Sequence, residues 1–446
     1  MINRVLEREF VLKEAEKMRD ELARRAEEEG AGDEGRTEYA RDALGRAVEA
    51  ERATGSGAGE GEAWLPRDAA LSVVQTVVEE QIRKRHPERL VDGSEDWIVA
   101  TQEVSDADSE DSNDFTGTDP GWVTETAKAV IARLWQGTHK FLETETPPAA
   151  KLGDRARVIL ISDWATGGVA AEAVADIARA EIESADDRDV HLVHLGDIYY
   201  TGDEEEVHKR FLDPWPVKPG EEDRYRSWAL IGNHEMYSGA HGYYKTLLAD
   251  PRFAGQRTEE GEPISYFSLS NRHWQILGTD TASDDHRGLF IGHSGFLRDP
   301  QGTWIAGRVS AARETGQRTM LLSHHDYLTV EDEGSKARLS RGNLSEKLAP
   351  AFQAGGIDAW FWGHDHVCKT FARRPEVRYS ACVGHGAIPK AKGKPRTEPG
   401  EWEFVEGGSQ WRWCGLAVLD FADERVDVRY LANSVGQHGS DVLPVP

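Results

Sequence analysis

The stretch His194-Leu195-Gly196-Asp197-Ile198-Tyr199-Tyr200 decides how this chain is read. Residues 190–195 form a short apolar run, the pattern of a strand buried on both faces. The run stops at Gly196, and an acid and a phenol follow just past its carboxyl end. In parallel α/β sheets that edge is where ligands bind.

Working outward, the same pattern recurs. Residues 158–161 read as a buried strand, 169–182 as an alanine-rich helix, and 228–231 as a further strand. A helix-like segment follows at 243–248. Residues 264–269 and 273–277 look like an antiparallel pair around the turn Ser270-Asn271-Arg272. Helical periodicity at 303–315 and 344–353 alternates with strands at 318–322 and 359–362, and the tail offers strands at 378–383, 414–421 and 425–431. Early βαβ alternation followed by antiparallel strands predicts an α/β (α+β) architecture, a mixed sheet or a pair of packed sheets with helices outside.

Five of these strands hand over to polar residues: Ser162-Asp163-Trp164-Ala165, Gly196-Asp197-Ile198-Tyr199-Tyr200, Gly232-Asn233-His234-Glu235, Ser323-His324-His325-Asp326 and Gly363-His364-Asp365-His366. Singly, an Asp after a strand is a turn or a helix cap, and a lone His is structural. Five in succession, all at carboxyl ends, are harder to treat that way. His364 and His366, two apart, would diverge on a helix but can converge from a strand end. The donors are Asp, Asp, Tyr, Asn and His, mixed oxygen and nitrogen with no thiolate. Such a set suits two hydrolytic metals bridged by one carboxylate and a hydroxide.

The order and content of these blocks, Gly-Asn-His-Glu and Gly-His-Asp-His above all, resemble the calcineurin-like metallophosphoesterase superfamily from about residue 157 to about residue 431. The resemblance implies a two-sheet β-sandwich flanked by helices, and hydrolysis of a phosphate ester, in a small molecule or a phosphorylated substrate, by metal-bound hydroxide. Most members carry Asp-x-His in the first block, whereas position 165 here is alanine, which cannot ligate. Tyr200, three residues after Asp197, makes the chain similar to the purple acid phosphatase branch. There a tyrosinate holds ferric iron beside a divalent ion (Fe, Zn or Mn). Carried over, the first metal is held by Asp163, Asp197, Tyr200 and His366, and the second by Asp197, Asn233, His324 and His364. The resemblance prefers His324 to His325, which then lies behind the ligands or touches substrate. It gives His234 the stabilisation of the transition state or protonation of the leaving alkoxide. Asp365 and Glu235 are expected to orient imidazoles, and His241, His286, His293 and His385 to lie in loops near the mouth or on the surface. Trp360 and Trp362 are expected in the core.

Residues 1–150 differ in kind. They hold 34 acids and 19 bases, so 15 of the 26 net negative charges of the 446-residue chain lie there. Residues 3–28 predict a helix with a thin apolar stripe, and 54–61 a flexible linker. A helix capped by Asp68 carries Leu71, Val74, Val77, Val78 and Ile82 on one face, and another spans 122–141. Residues 105–112 read as an acidic solvated loop without EF-hand spacing. Pro147-Pro148 marks the boundary between an acidic helical region, 1–150, and the catalytic-type domain, 151–446. The charge of −26 argues against nonspecific binding to nucleic acid or anionic membrane. Three scattered cysteines, no apolar leader and no spanning run predict a reduced, cytoplasmic setting. The competing expectation is a regulatory or scaffold protein that keeps the fold and binds a protein partner through its N-terminal helices.

Overall fold

The computed structural model describes residues 8–28, 34–53, 66, 68–85, 130–132, 134, 137–283, 295–329, 338–339, 343–388, 402–404, 412–432 and 436–443. The chain divides into two compact units, one formed mainly by residues up to 138 and the other mainly by residues from 139 onward.

In the second unit, strand alternation builds the core. Successive side chains of a strand point to opposite faces, and here both faces are apolar. Strands β1 (Ala149–Lys151), β2 (Arg155–Ile161), β3 (Asp189–His194) and β4 (Tyr225–Ala229) come first. They are followed by β5 (Phe267–Ser270), β6 (Trp274–Gly278), β7 (Arg318–Ser323), the short pair β8 (Leu328–Thr329) and β9 (Arg338–Leu339), and β10 (Ala359–Trp362). The tail supplies β11 (Cys368–Phe371), β12 (Ser380–Val383), β13 (Trp402–Phe404), β14 (Gly415–Ala422), β15 (Arg425–Ala432) and β16 (Gly436–Leu443). One sheet runs β16-β15-β14-β2-β3-β4 and the other β1-β5-β6-β7-β10-β12-β11-β13. Strands β2, β3 and β4 are mutually parallel, as are β6, β7, β10 and β12.

Val158 and Leu160 of β2, Leu419 and Phe421 of β14, Met320 and Leu322 of β7, and Ala359 and Phe361 of β10 share one buried cluster. The two sheets therefore pack face to face. The intervening residues Leu321, Trp360 and Trp362 turn the other way, onto Ile305, Val309, Leu344 and Leu348. Those four lie on two helices outside the larger sheet, Asp299–Thr315 and Asn343–Gln353. The first has Pro300 near its start and ends at Gly316, whose φ of 76° is the left-handed conformation that glycine adopts freely. The expected two-sheet architecture with outer helices is present, and Trp360 and Trp362 are core residues.

Among the described residues, the first unit includes the helices α1 (Arg8–Glu28), α2 (Glu34–Ala53) and α3 (Ala69–Arg85). Val11, Ala15, Met18 and Leu22 of α1 recur at helical spacing and meet Ala40, Leu44, Ala47 and Val48 of α2 and Leu71, Val74 and Val78 of α3. The stripe on α1 is thus fuller than the sequence reading gave it. Asp68 caps α3 as expected, its carboxylate accepting the Ala70 N–H at 2.8 Å. The linker 54–61, the acidic loop 105–112 and most of the helix expected at 122–141 lie outside the described residues. Residues 137–140, at the end of that expected helix, are not helical.

Candidate metal centre

Because β2, β3 and β4 are parallel in one sheet and β7 and β10 in the other, their carboxyl ends open on one edge of the sandwich. Asp163, Asp197 and Asn233 leave the smaller sheet there, and His324, His325, His364 and His366 leave the larger one. Four of the seven, Asp163, Asp197, His364 and His366, hold φ between 51° and 71°, a left-handed conformation that costs non-glycine residues of order 1 kcal/mol each. Close approach is bought by glycine: a Cβ on Gly232 would run into the Asp197 carboxylate, and one on Gly363 into the Ser162 hydroxyl.

Two adjoining groups result. In the first, Asp163, Asp197 and His366 offer ligand atoms within 4.8 Å of one another. The Tyr199 hydroxyl lies 2.8 Å from His366 Nε2, 3.1 Å from Asp163 Oδ1 and 3.2 Å from Asp197 Oδ2. One hydroxyl proton cannot serve both carboxylates at once. In the second, His324, His325 and His364 lie together, with Asn233 Oδ1 3.0 Å from His324 Nε2 and 3.1 Å from His364 Nδ1. Asp197 Oδ1 is 3.3 Å from His324 Nε2, so this carboxylate touches both groups. His324 Nδ1 faces the Leu195 carbonyl at 3.0 Å and so carries the ring hydrogen, which leaves Nε2 as a lone pair. That lone pair points at the oxygens of Asn233 and Asp197. Lone pairs crowded in this way fit a cation, and so do both donor sets.

The electrostatics agree. Burial pushes the Asp163 carboxyl up, but the hydrogen bond and charge of His366, with help from His324 and the Ser162 hydroxyl, hold it well below the usual carboxylate range. Burial, then the charges of Asp163 and Asp197, push the Tyr199 phenol far up, so it is a neutral phenol until a cation reverses the local field. Burial lowers His234. Its Nδ1–H donates to the Tyr200 carbonyl at 2.6 Å, and its ring packs 4.6 Å from that of Tyr199.

The structure brings together Asp163, Asp197, Asn233, His324, His364 and His366, with His234 and His325 beside them. It replaces one expected donor. The phenol in the first group belongs to Tyr199, two residues after Asp197, and not to Tyr200. The Tyr200 ring lies under the Arg210 guanidinium, 5.2 Å from its carbon, and its N–H and carbonyl are held by Glu206 and His234. Two adjacent tyrosines made the register undecidable from sequence. The buried Glu235 side chain accepts the backbone N–H groups of Asp197 and Gly232, at 3.2 and 3.1 Å, and so positions the loop. Burial, then Asp197, push it far above the ordinary range. Asp365 lies 3.6 Å from Lys369. Ala165 is buried in a bridge to Ile198. His385 is buried, the His241 ring lies 6.0 Å from that of His139, and His286 and His293 fall outside the described residues.

Sequence reasoning missed Thr281. Its hydroxyl meets both the His325 N–H, at 3.1 Å, and Nδ1, at 3.0 Å, which fixes that ring 5.0 Å from His324 and 4.8 Å from His364. A threonine in a loop after β6 carries no signal for this role.

A sandwich with donors gathered at one edge is the form of a metallophosphoesterase domain, and residues 156–368 match the calcineurin-like phosphoesterase family. Members work with a pair of metal ions, and the two donor groups are the candidate ligands. Among solved structures, the chain is similar to the GAP50 anchor in the inner membrane complex of Plasmodium, at 12% identity over 66% of this chain and 89% of that one, with a TM-score of 0.46. It is also similar to a dimetal phosphatase from Danio rerio, at 14% identity over 65% and 99%, with a TM-score of 0.46. Comparison with curated proteins gives no match. Among the described residues, no helix is long and apolar enough to cross a membrane.

Proposed function

We propose that the chain is a dinuclear metal-dependent phosphoesterase of the purple acid phosphatase type, hydrolysing a phosphate monoester or diester. The observation that carries this reading is the sharing of Asp197 between two groups of hard and borderline donors. Asp163, Asp197, Tyr199 and His366 would hold the first ion, and the phenol with two carboxylates suits a small trivalent cation such as ferric iron. Asp197, Asn233, His324 and His364 would hold the second, a divalent Fe, Zn or Mn. A bound pair supplies Lewis acidity toward a phosphoryl oxygen and an activated water.

The protein's own groups do the rest. His234 donates Nδ1–H to the Tyr200 carbonyl, which leaves Nε2 as the atom that exchanges a proton with the leaving group. His325, set by Thr281, is placed to contact substrate beside His324 and His364. Glu235 holds the loops that present Asp197 and Asn233.

Asn233→Ala and His364→Ala test the reading. Each is expected to lower metal content and to cut hydrolysis of an aryl phosphate by about 100-fold or more, a loss typical of disrupted metal catalysis. Circular dichroism should remain that of the parent chain. Unchanged turnover in both variants would sink the assignment.

A further inference from the structure

Glu206 is 3% exposed and Arg210 is 5% exposed, and both lie one layer behind the metal centre. Asp203 caps the helical turn Glu204–Glu206, and the Glu206 side chain folds back to complete the capping box. In that position its Oε1 accepts the Tyr200 N–H at 2.6 Å. Its Oε2 accepts the Thr201 N–H at 2.9 Å and the Thr201 hydroxyl at 3.2 Å. Arg210, one turn further on, donates Nη1–H to the Tyr199 carbonyl at 2.8 Å and stands 3.6 Å from Glu206. The single peptide group that joins Tyr199 to Tyr200 is thus gripped at its carbonyl and at its N–H by the two members of a buried ion pair.

A buried pair of this kind is a costly way to make a turn, because the desolvation of two charges offsets most of their attraction. Neutral residues would close the same turn. What charge adds is short, directional bonding that fixes a backbone to within a fraction of an ångström, which a metal-ligand group needs. The tip of the clamped residue is the Tyr199 hydroxyl, 2.8 Å from His366 and 3.1 Å from Asp163.

We propose that Glu206 and Arg210 are positioning residues that aim the Tyr199 phenol into the first metal group. The inference rests on the dinuclear reading above. They touch neither metal nor substrate, and they act through the backbone of residues 199–201.

The test is calorimetric titration of the metal-free full-length chain with manganese(II). The wild type is expected to take two ions. Tyr199→Phe should weaken one of them by about 10- to 100-fold, and Glu206→Gln should weaken the same ion by about 10-fold, as loss of a group supporting a ligand does. In Glu206→Gln a donor amide replaces one of the two accepting oxygens. The double variant should bind no more weakly than Tyr199→Phe alone, because both changes remove one interaction. Arg210→Lys should follow the same pattern and carries the test if Glu206→Gln does not fold. Two ions in the wild type with additive losses, with equal weakening of both ions, or with unchanged binding in Glu206→Gln would overturn this inference alone. A wild type that takes up no manganese overturns the dinuclear reading and the inference with it.

Discussion

Asp280 shows what a single buried carboxyl does to this fold. Its Oδ1 accepts the Ala282 and Ser283 N–H groups at 3.0 and 2.9 Å, and its Oδ2 accepts the Ser265 hydroxyl at 2.5 Å. Burial nevertheless outweighs these bonds and pushes the carboxyl up to about 6. A folded-state value raised from 3.8 means that the protonated form is the one the fold prefers. Its contribution to stability is complete below pH 4 and is lost as pH rises through 6. The difference amounts to about 3 kcal/mol. In Asp280→Asn the amide oxygen keeps both N–H groups and the amide nitrogen can donate to Ser265. The variant is therefore expected to match the parent chain near pH 4 and to exceed it by roughly 3 kcal/mol at pH 8 in urea unfolding. Equal stability at both pH values would show that the carboxylate is not desolvated as the structure has it. Nothing in the sequence marks Asp280. It reads as one more acid in a loop, because burial is a property of what packs around it. The same limit explains Tyr199 and Tyr200, where the residue type was legible and the direction of the ring was not.

At the scale of elements, strands buried on both faces were the legible ones. An unbroken apolar run such as residues 158–161 or 359–362 is the signature of a strand buried on both faces, and a polar residue at its end stands out. Strands without that signature went unread: β1 has three residues, and β16, at the sheet edge, begins Gly436-Gln437-His438-Gly439-Ser440-Asp441 before its two apolar residues. Helix α2 was also missed, because its buried face is mostly alanine and gives little contrast. The left-handed turns at the strand ends were invisible for a different reason. Asp and His occupy them, and only glycine announces such a conformation in sequence. Glycine does report close approach at the exit of β10. A methyl on Gly363 would meet the Ser162 hydroxyl and lie 2.6 Å from Asp163 Oδ2, with His364 next in line. Gly363→Ala must therefore move either β10 or the first ligand. The expected result is loss of bound metal and about 100-fold lower turnover, while far-ultraviolet dichroism stays unchanged. Elemental analysis of the purified variant checks it, and two metals per chain at full activity would refute the packing at that seam.

For the whole molecule, the question is where the catalytic-type unit begins. The sequence placed the boundary after the proline pair, at 150, whereas the second compact unit starts at 139. Residues 139–151 are bound into it by several contacts. Strand β1 pairs with β5, Ser268 N–H donates to the Pro148 carbonyl at 2.9 Å, and Leu152 N–H donates to Ser270 at 2.8 Å. The Tyr266 hydroxyl donates to the Thr144 carbonyl and accepts its N–H, each at 2.8 Å. Phe141 is buried against Tyr266, with Arg298 over its ring at 4.7 Å. Each hydrogen bond contributes about 1 kcal/mol and the buried ring about 2 kcal/mol. A fragment 151–446 keeps the Leu152 bond but lacks the others and leaves most of the edge of β5 unpaired. It is expected to melt roughly 5–10 °C below a fragment 139–446, since each kcal/mol moves Tm by a few degrees in a domain of this size. Every residue assigned to the metal centre lies within 139–446, so that longer fragment should keep aryl phosphatase activity within about threefold of the full chain, the metal centre being intact. Scanning calorimetry and a rate measurement on the two fragments decide both points. Equal melting temperatures would remove β1 from the unit. A folded, metal-loaded 139–446 fragment without activity would mean that the acidic helices α1 to α3 take part in catalysis, while full activity leaves them free for a partner.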